Sequence, residues 1–231
     1  MAGQSNLSAT AAIVPKRLQL KFERMPAAYI HPLRLGHCLP AELPEAFRDR
    51  LLHTPRLQQR LSALIAWKFT LPSGGIDQLT SSSDPLPCAP ARFAMLEGGA
   101  LETATRSIGA IWHRQTIAKI ILAEPLRRLT TWLGRDIYRE ALGYGACGNA
   151  ETGSDEHPFA DTPDIQALCQ AIERDGQRCV LAWSDRQPAA LAARLRIKLP
   201  PDAEIDGEPA RLFRSLGPAI VEHVIETMMG P

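Results

Sequence analysis

Almost no net charge is left on this chain of 231 residues: 26 lysines and arginines stand against 25 aspartates and glutamates, giving +1 at pH 7. Such a balance provides no overall field to hold a polyanion, whereas nucleic-acid-binding domains usually carry a clear basic excess. Cysteine is sparse. Its five copies, Cys38, Cys88, Cys147, Cys169 and Cys179, are odd in number and contain no Cys-x-x-Cys pair, which argues against a disulfide framework and fits a reducing compartment. No window approaches the ~20 apolar residues of a bilayer span. The weak apolar run near the N-terminus has no basic residue ahead of it, so a secretory signal is not expected. The expected location is cytoplasmic, with membrane association only through a partner. G-x-S-x-G, G-x-x-x-x-G-K and H-E-x-x-H are all missing, and with them the common signatures of nucleophile elbows, phosphate loops and zinc proteases.

What is present is ordinary globular material, 45% hydrophobic and 22% charged, so neither wholesale disorder nor a fibrous repeat is expected. The length suits one well-formed core. The 19 prolines, above the typical ~5% share, predict short, interrupted helices. Charge is uneven along the chain: residues 1–115 hold 13 basic against 8 acidic side chains, residues 116–231 hold 13 against 17. This asymmetry can orient a protein between two partners, although solvated surfaces also drift this far.

The expected fold is mainly α, an irregular bundle of short helices. Residues 1–15 read as a mobile tail, and 16–231 as a single helical domain with a long Pro/Ser/Gly-rich loop at about 72–92. Leu18, Leu20 and Phe22 alternate with polar residues, as do Leu195, Ile197 and Leu199. That period of two predicts two short strands pairing as one small β element. Pro44 and Pro55 open two helices expected to form a hairpin, the second placing Leu57, Leu61, Leu64 and Ile65 on one face with Trp67 near its edge. In the central stretch from Gly109 to Leu129, Ile108, Ile111, Trp112, Ile117, Ile120 and Ile121 do not form one clean stripe, so protein is expected to cover most of the circumference. Helices follow from Pro125, divided at Gly134, and over Pro163–Arg174, with an apolar segment at Cys179–Trp183. A break at Gly217–Pro218 precedes a last amphipathic helix with Ile220, Val221, Val224, Ile225 and Met228 inside.

Several constellations touch on chemistry. Gly143, Gly145 and Gly148 match G-x-G-x-x-G, but a helical pattern precedes them and the acidic NAETGSDEHP follows, the reverse of a dinucleotide site. His31, His37 and Cys38 are zinc-compatible, yet a fourth ligand would have to come from Cys88 or His157 in distant loops. His113 sits in an apolar run, where a histidine bonded to a neighbouring backbone or side chain is the usual occupant; a general base would need a carboxylate and a pocket, and neither is visible. Arg128, Arg135 and Arg139 would lie on one side of a helix continuing through Gly134, available to an acidic partner or a phosphate, or simply solvated. The helix–break–helix around Glu124 and Pro125 also invites a helix-turn-helix DNA-binding regulator, against which stand the initial proline, the lack of Asn or Gln for base readout and the neutral charge. A small metal-dependent hydrolase using His113 or the His37 and Cys38 pair is the remaining alternative.

Three segments carry a resemblance: PAAYIHP at Pro26–Pro32, GAIWHRQTIAKIILAEPLRRL at Gly109–Leu129 and RLRIKLP at Arg194–Pro200. In content, order and separation they resemble the type III secretion family SctK, called YscK or PscK in some systems. Most specific is the central block, through Gly109, His113, Ile117, Leu122, Ala123, Pro125, Leu126 and Leu129. The likeness covers about residues 18–225, whereas the loop at about 72–92 and the acidic 148–163 segment look peculiar to this chain. The resemblance implies a non-enzymatic, cytoplasmic adaptor of the injectisome sorting platform, without cofactor or metal. It would join the inner-membrane ring protein SctD to the pod protein SctQ, and indirectly to SctL and the SctN ATPase, supporting protein secretion. It implies no particular binding residues; Arg128, Arg135 and Arg139 are the candidate partner interface on charge alone.

Overall fold

The computed structural model describes residues 16–40, 42–72, 88–145, 164–201 and 210–230, and all regular structure among them is helical. The N-terminal part runs through α1 (Lys16–Arg24), a 3-10 turn (Pro26–Ala28), α2 (Pro32–Gly36), α3 (Glu45–His53) and α4 (Pro55–Lys68). The central part comprises α5 (Ala89–Ala94), α6 (Gly98–Trp112), α7 (Arg114–Ala118), α8 (Ala123–Leu133) and α9 (Arg135–Gly143). Last come α10 (Ile165–Ser184), α11 (Ala189–Lys198) and α12 (Arg211–Met229). The expected tail 1–15, most of the 72–92 loop and all of the 148–163 segment lie outside the described residues. Where that loop was expected to extend to Arg92, α5 has already begun at Ala89.

The 20-residue helix α10, capped by the Asp164 carboxylate accepting from the Gln166 N–H at 3.0 Å, packs against both α6 and α12, which also touch each other. Two glycines set the spacing. A Cβ on Gly109 would stand 1.9 Å from the Ile172 carbonyl oxygen, and one on Gly176 2.0 Å from that of Thr105, so the α6 and α10 backbones meet directly. Ile108, Ile111, Leu168, Ile172, Cys179, Val180, Val221 and Val224 close around this three-helix seam without solvent contact, each large side chain contributing about 1.5–3 kcal/mol by leaving water. Trp112 stacks on Phe213 at 4.5 Å and Phe93 meets Trp183 edge-on at 5.4 Å. A second, smaller cluster gathers Ala27, Ile30, Leu35, Leu61, Ile65 and Ile197, tying α4 and the 3-10 turn to the end of α11.

Several sequence expectations are corrected. Both predicted strands are helical: Leu18–Phe22 lies in α1 and Leu195–Ile197 in α11. In α11 the buried residues are Ala190, Leu191, Arg194, Leu195, Ile197 and Lys198. Once Arg194 and Lys198 count as interior, this is a helical period; counted as surface, they leave a false alternation. In α1, Phe22 is buried but Leu20 is exposed, so the alternation fails there too. The segments expected at 163–174 and 179–183 are one helix, α10. The helix-breaking Gly217–Pro218 pair lies inside continuous α12. Pro218 withholds the N–H that would reach the Arg214 carbonyl four residues back. The Arg186 guanidinium donates to that carbonyl instead, at 2.7 Å. Met228, expected inside, is exposed, as is Leu64 on α4.

Candidate functional site

Two of the three segments that stood out in the sequence are structural partners. The first and third meet: the His31 N–H donates to the Ile197 carbonyl at 2.9 Å, and Ile30 and Ile197 share the smaller core. Two cations of the third segment, Arg194 and Lys198, and one from α2 serve main-chain carbonyls, while Arg196 pairs with the Asp185 carboxylate at 3.1 Å. Arg194 donates through Nη2 to Glu23 and Pro72, both at 3.1 Å, and through Nη1 to Ala190 at 3.0 Å. Lys198 donates to Ala94 at 2.8 Å and also to Leu96, with the Phe22 and Tyr29 rings 5.6 and 5.7 Å from its ammonium. Arg34 donates to Leu199 at 2.7 Å. These buried charges are spent on bonding loose chain ends to the core.

In the central segment, His113 follows the Gly109 contact by one helical turn and is 1% exposed. Its Nε2 lies 2.9 Å from Oδ2 of Asp175 on α10. The other carboxylate oxygen accepts from Arg178 at 3.0 Å and Arg174 at 3.4 Å. Burial by itself would raise the Asp175 carboxyl; the His113 hydrogen bond and charge, with Arg174 and Arg178, overcome it and hold the group below its ordinary value. The carboxylate that a general base would require is therefore present, 62 residues away, but the pair faces the α6–α10 seam rather than a substrate. It fastens two helices.

The other candidate groups are engaged singly. The His31 Nδ1 accepts from the Leu33 N–H at 3.3 Å, capping α2, and burial lowers its pKa against the pull of Glu102. The His37 carbonyl accepts from Lys68, and burial raises the Cys38 thiol although Lys68 opposes it. Burial pushes Cys169 up to about 11 and Cys179 well above its usual range, the opposite of what a nucleophilic thiolate requires. Among the described residues, no three His, Cys, Asp or Glu side chains come together as a metal-ligand set. Cys147, Gly148 and His157 lie outside the described residues. A recess of about 400 Å³ lies beside Tyr29, His31, Glu102, Arg106, Glu173 and Lys198, but its Arg106 already pairs with Glu173 at 3.6 Å and covers the Trp132 ring at 4.7 Å.

The arginine trio does not share one helix. Gly134, with φ of +86°, ends α8 and starts α9, a conformation that residues with a Cβ rarely adopt. Arg128 on α8 and its neighbour Arg127 both bond to the exposed Glu124, at 2.8 and 2.7 Å, whose pKa falls through those two hydrogen bonds. With Glu124 between them, these arginines are poorly placed to meet a phosphate backbone as a recognition helix would. Arg135 and Arg139 are exposed, one turn apart on α9. Just ahead of α8, Ile121 is 87% and Leu122 55% exposed. Ile121 was expected in the core; in the non-helical stretch 120–122 only Ile120 turns inward.

A family model described as YOP proteins translocation protein K (YscK) matches residues 18–222, from α1 to within α12. The chain belongs to the YscK family. It is accordingly a type III secretion protein of the SctK group, as its three segments suggested. Comparisons with curated proteins and with solved structures give no significant match. In this YscK-family chain the matched stretch reaches every helix of the described residues, holding all but the start of α1 and the end of α12, and contains both halves of the His113–Asp175 pair. No helix among the described residues is long and apolar enough to cross a membrane. The Asp175 pairing and the exposure of Ile121 were not legible in the sequence. The former joins residues without a common local pattern; for the latter, the one signal was three consecutive apolar residues, 120–122, ahead of a helix-starting Ala-Glu-Pro.

Proposed function

We propose that this YscK-family protein is a cytoplasmic adaptor of the type III secretion sorting platform, linking the ring protein SctD to the pod protein SctQ, and through SctQ to SctL and the SctN ATPase. The observation that carries the reading is how the central family segment is divided. Its inward residues, Gly109, His113, Ile117 and Leu129, are consumed in packing, while the same segment exposes Ile121 and Leu122 just ahead of α8 and Arg127 and Arg128 on α8 itself. Exposed apolar side chains and exposed guanidinium groups in one segment are the makings of a protein contact. The turn at Gly134 adds Arg135 and Arg139, so one partner surface is assigned to the α8–α9 corner. Interfaces of this modest, partly polar kind assemble and exchange more readily than obligate ones.

Affinity capture of the full-length protein from secreting cells, followed by mass spectrometry, tests the reading. Recovery of the pod and ring proteins is the expected result. Arg128→Glu, Arg135→Glu and Arg139→Glu together should reduce recovery of one partner at least tenfold while leaving thermal unfolding in place. Wild-type recovery of both partners by that variant would remove the α8–α9 corner from the interface; failure of the wild-type protein to recover either from intact assemblies would remove the adaptor role.

A further inference from the structure

Helix α4 carries an exposed stripe that the core does not use. Its inner face seats Leu61, Ser62 and Ile65, with the Ser62 hydroxyl accepting from the Ala27 N–H at 3.3 Å. On the opposite face, Arg56, Arg60, Ala63, Leu64 and Trp67 follow the i, i+4, i+7, i+8, i+11 rows of a single helical side, and all five are exposed. Trp67 is 79% exposed, unusual for the largest apolar side chain on a surface with no other use for it. The helix holds Arg56, Arg60 and Lys68 and no acidic residue. Among the described residues, no carboxylate forms a salt bridge with Arg56 or Arg60. The inner face of α4 packs into the smaller hydrophobic cluster, through Leu61 and Ile65, whereas α8 and α9 pack on the larger one.

Resting on the adaptor reading, we infer that α4 is a second docking surface, and that its occupant is an acidic amphipathic helix of a partner protein. Complementarity fixes the partner's chemistry. Arg56 and Arg60 stand one turn apart, about 6 Å along the axis, and each guanidinium presents a fork that matches a carboxylate bidentately. Trp67 and Leu64 lie one to three turns further on, so the partner segment needs two carboxylates a turn apart followed by an apolar patch within about 16 Å. Tryptophan and arginine are also the side chains that most often dominate protein–protein contacts. An anionic membrane fits less well, because the apolar part of the stripe is only three side chains, Ala63, Leu64 and Trp67.

The test is photo-crosslinking of the full-length protein in secreting cells with Leu64→p-benzoylphenylalanine, followed by sequencing of the crosslinked peptide. The expected adduct is a peptide from another secretion component carrying paired acidic residues beside apolar ones. Its yield should fall at least tenfold with Arg56→Glu and Arg60→Glu, and recover when the partner's two carboxylates are changed to arginine. A peptide without paired carboxylates, a peptide of this chain itself, a lipid adduct, or no adduct in cells whose apparatus contains the protein would each overturn the inference. The last result, with pod and ring proteins still co-purifying, would sink the α4 surface and leave the adaptor reading standing; loss of co-purification would sink the adaptor reading itself. Because both arginines are exposed, a thermal melt of the Arg56→Glu, Arg60→Glu protein verifies that any lost yield comes from a folded chain.

Discussion

Replacing Gly109 by alanine tests the central packing most directly. In isolation the change favours the helix by about 1 kcal/mol, since glycine is the poorer helix former. The new Cβ, however, would stand 1.9 Å from the Ile172 carbonyl oxygen, 2.8 Å from its carbonyl carbon and 3.1 Å from its Cγ2. Two of these neighbours are main-chain atoms and cannot rotate away, so α6 and α10 must separate by on the order of 1 Å. A gap of that size forfeits a quarter to a half of each dispersion contact across the seam. With some fifty atom pairs at roughly 0.15 kcal/mol each, the loss is about 2–4 kcal/mol. Stretching the buried His113–Asp175 bond, 2.9 Å long, adds about 1 kcal/mol. The net destabilisation is about 2–4 kcal/mol, lowering Tm by about 6–12 °C in a chain of this size. Differential scanning fluorimetry with urea titration reads it out. Gly176→Ala should behave alike, because its Cβ would meet the Thr105 carbonyl oxygen at 2.0 Å, whereas Gly99→Ala in the same α6, with nothing within 4 Å, should be neutral or slightly stabilising. A Gly109→Ala protein as stable as Gly99→Ala would refute the backbone contact.

Two further outcomes follow from buried or borrowed hydrogen bonds. Arg186→Met should destabilise by about 1 kcal/mol through loss of the donor to the Arg214 carbonyl, and by much less in a Pro218→Ala background, where the restored N–H serves that carbonyl; equal effects in both backgrounds in a double-mutant cycle would show that Arg186 does not stand in for the proline. Burial pushes Lys198 down to about 8 against the pull of Glu97. Below pH 8 the fold therefore bears the cost of a buried ammonium, and between pH 8 and about 10.5 the unfolded chain binds more protons, so stability contributed by this site rises with pH. Compared with Lys198→Met, the wild-type protein should gain up to roughly 3 kcal/mol in urea unfolding between pH 7 and pH 10.5, and a pH-independent difference would contradict the buried ammonium.

What the amino-acid order determined here is the helical class, the family, and where many helices begin. Proline at a helix start, as at Pro44 and Pro55, and a glycine with positive φ, as at Gly134, act through local backbone sterics, which the sequence displays directly. The charged trio of Arg128, Arg135 and Arg139 was equally visible, but its distribution over two helices depended on Gly134 ending a helix rather than being tolerated inside one. Only the tertiary structure decided which polar groups go inside. Arg34, Arg194, Lys198 and the His113–Asp175 pair are buried because distant carbonyls or charges meet them, and that compensation cannot be read from one stretch of chain. The same holds for continuous α12, where Pro218 is accommodated by an arginine on another element, and for α4, whose Leu64 and Trp67 point outward because a single face of that helix was enough to close the smaller core.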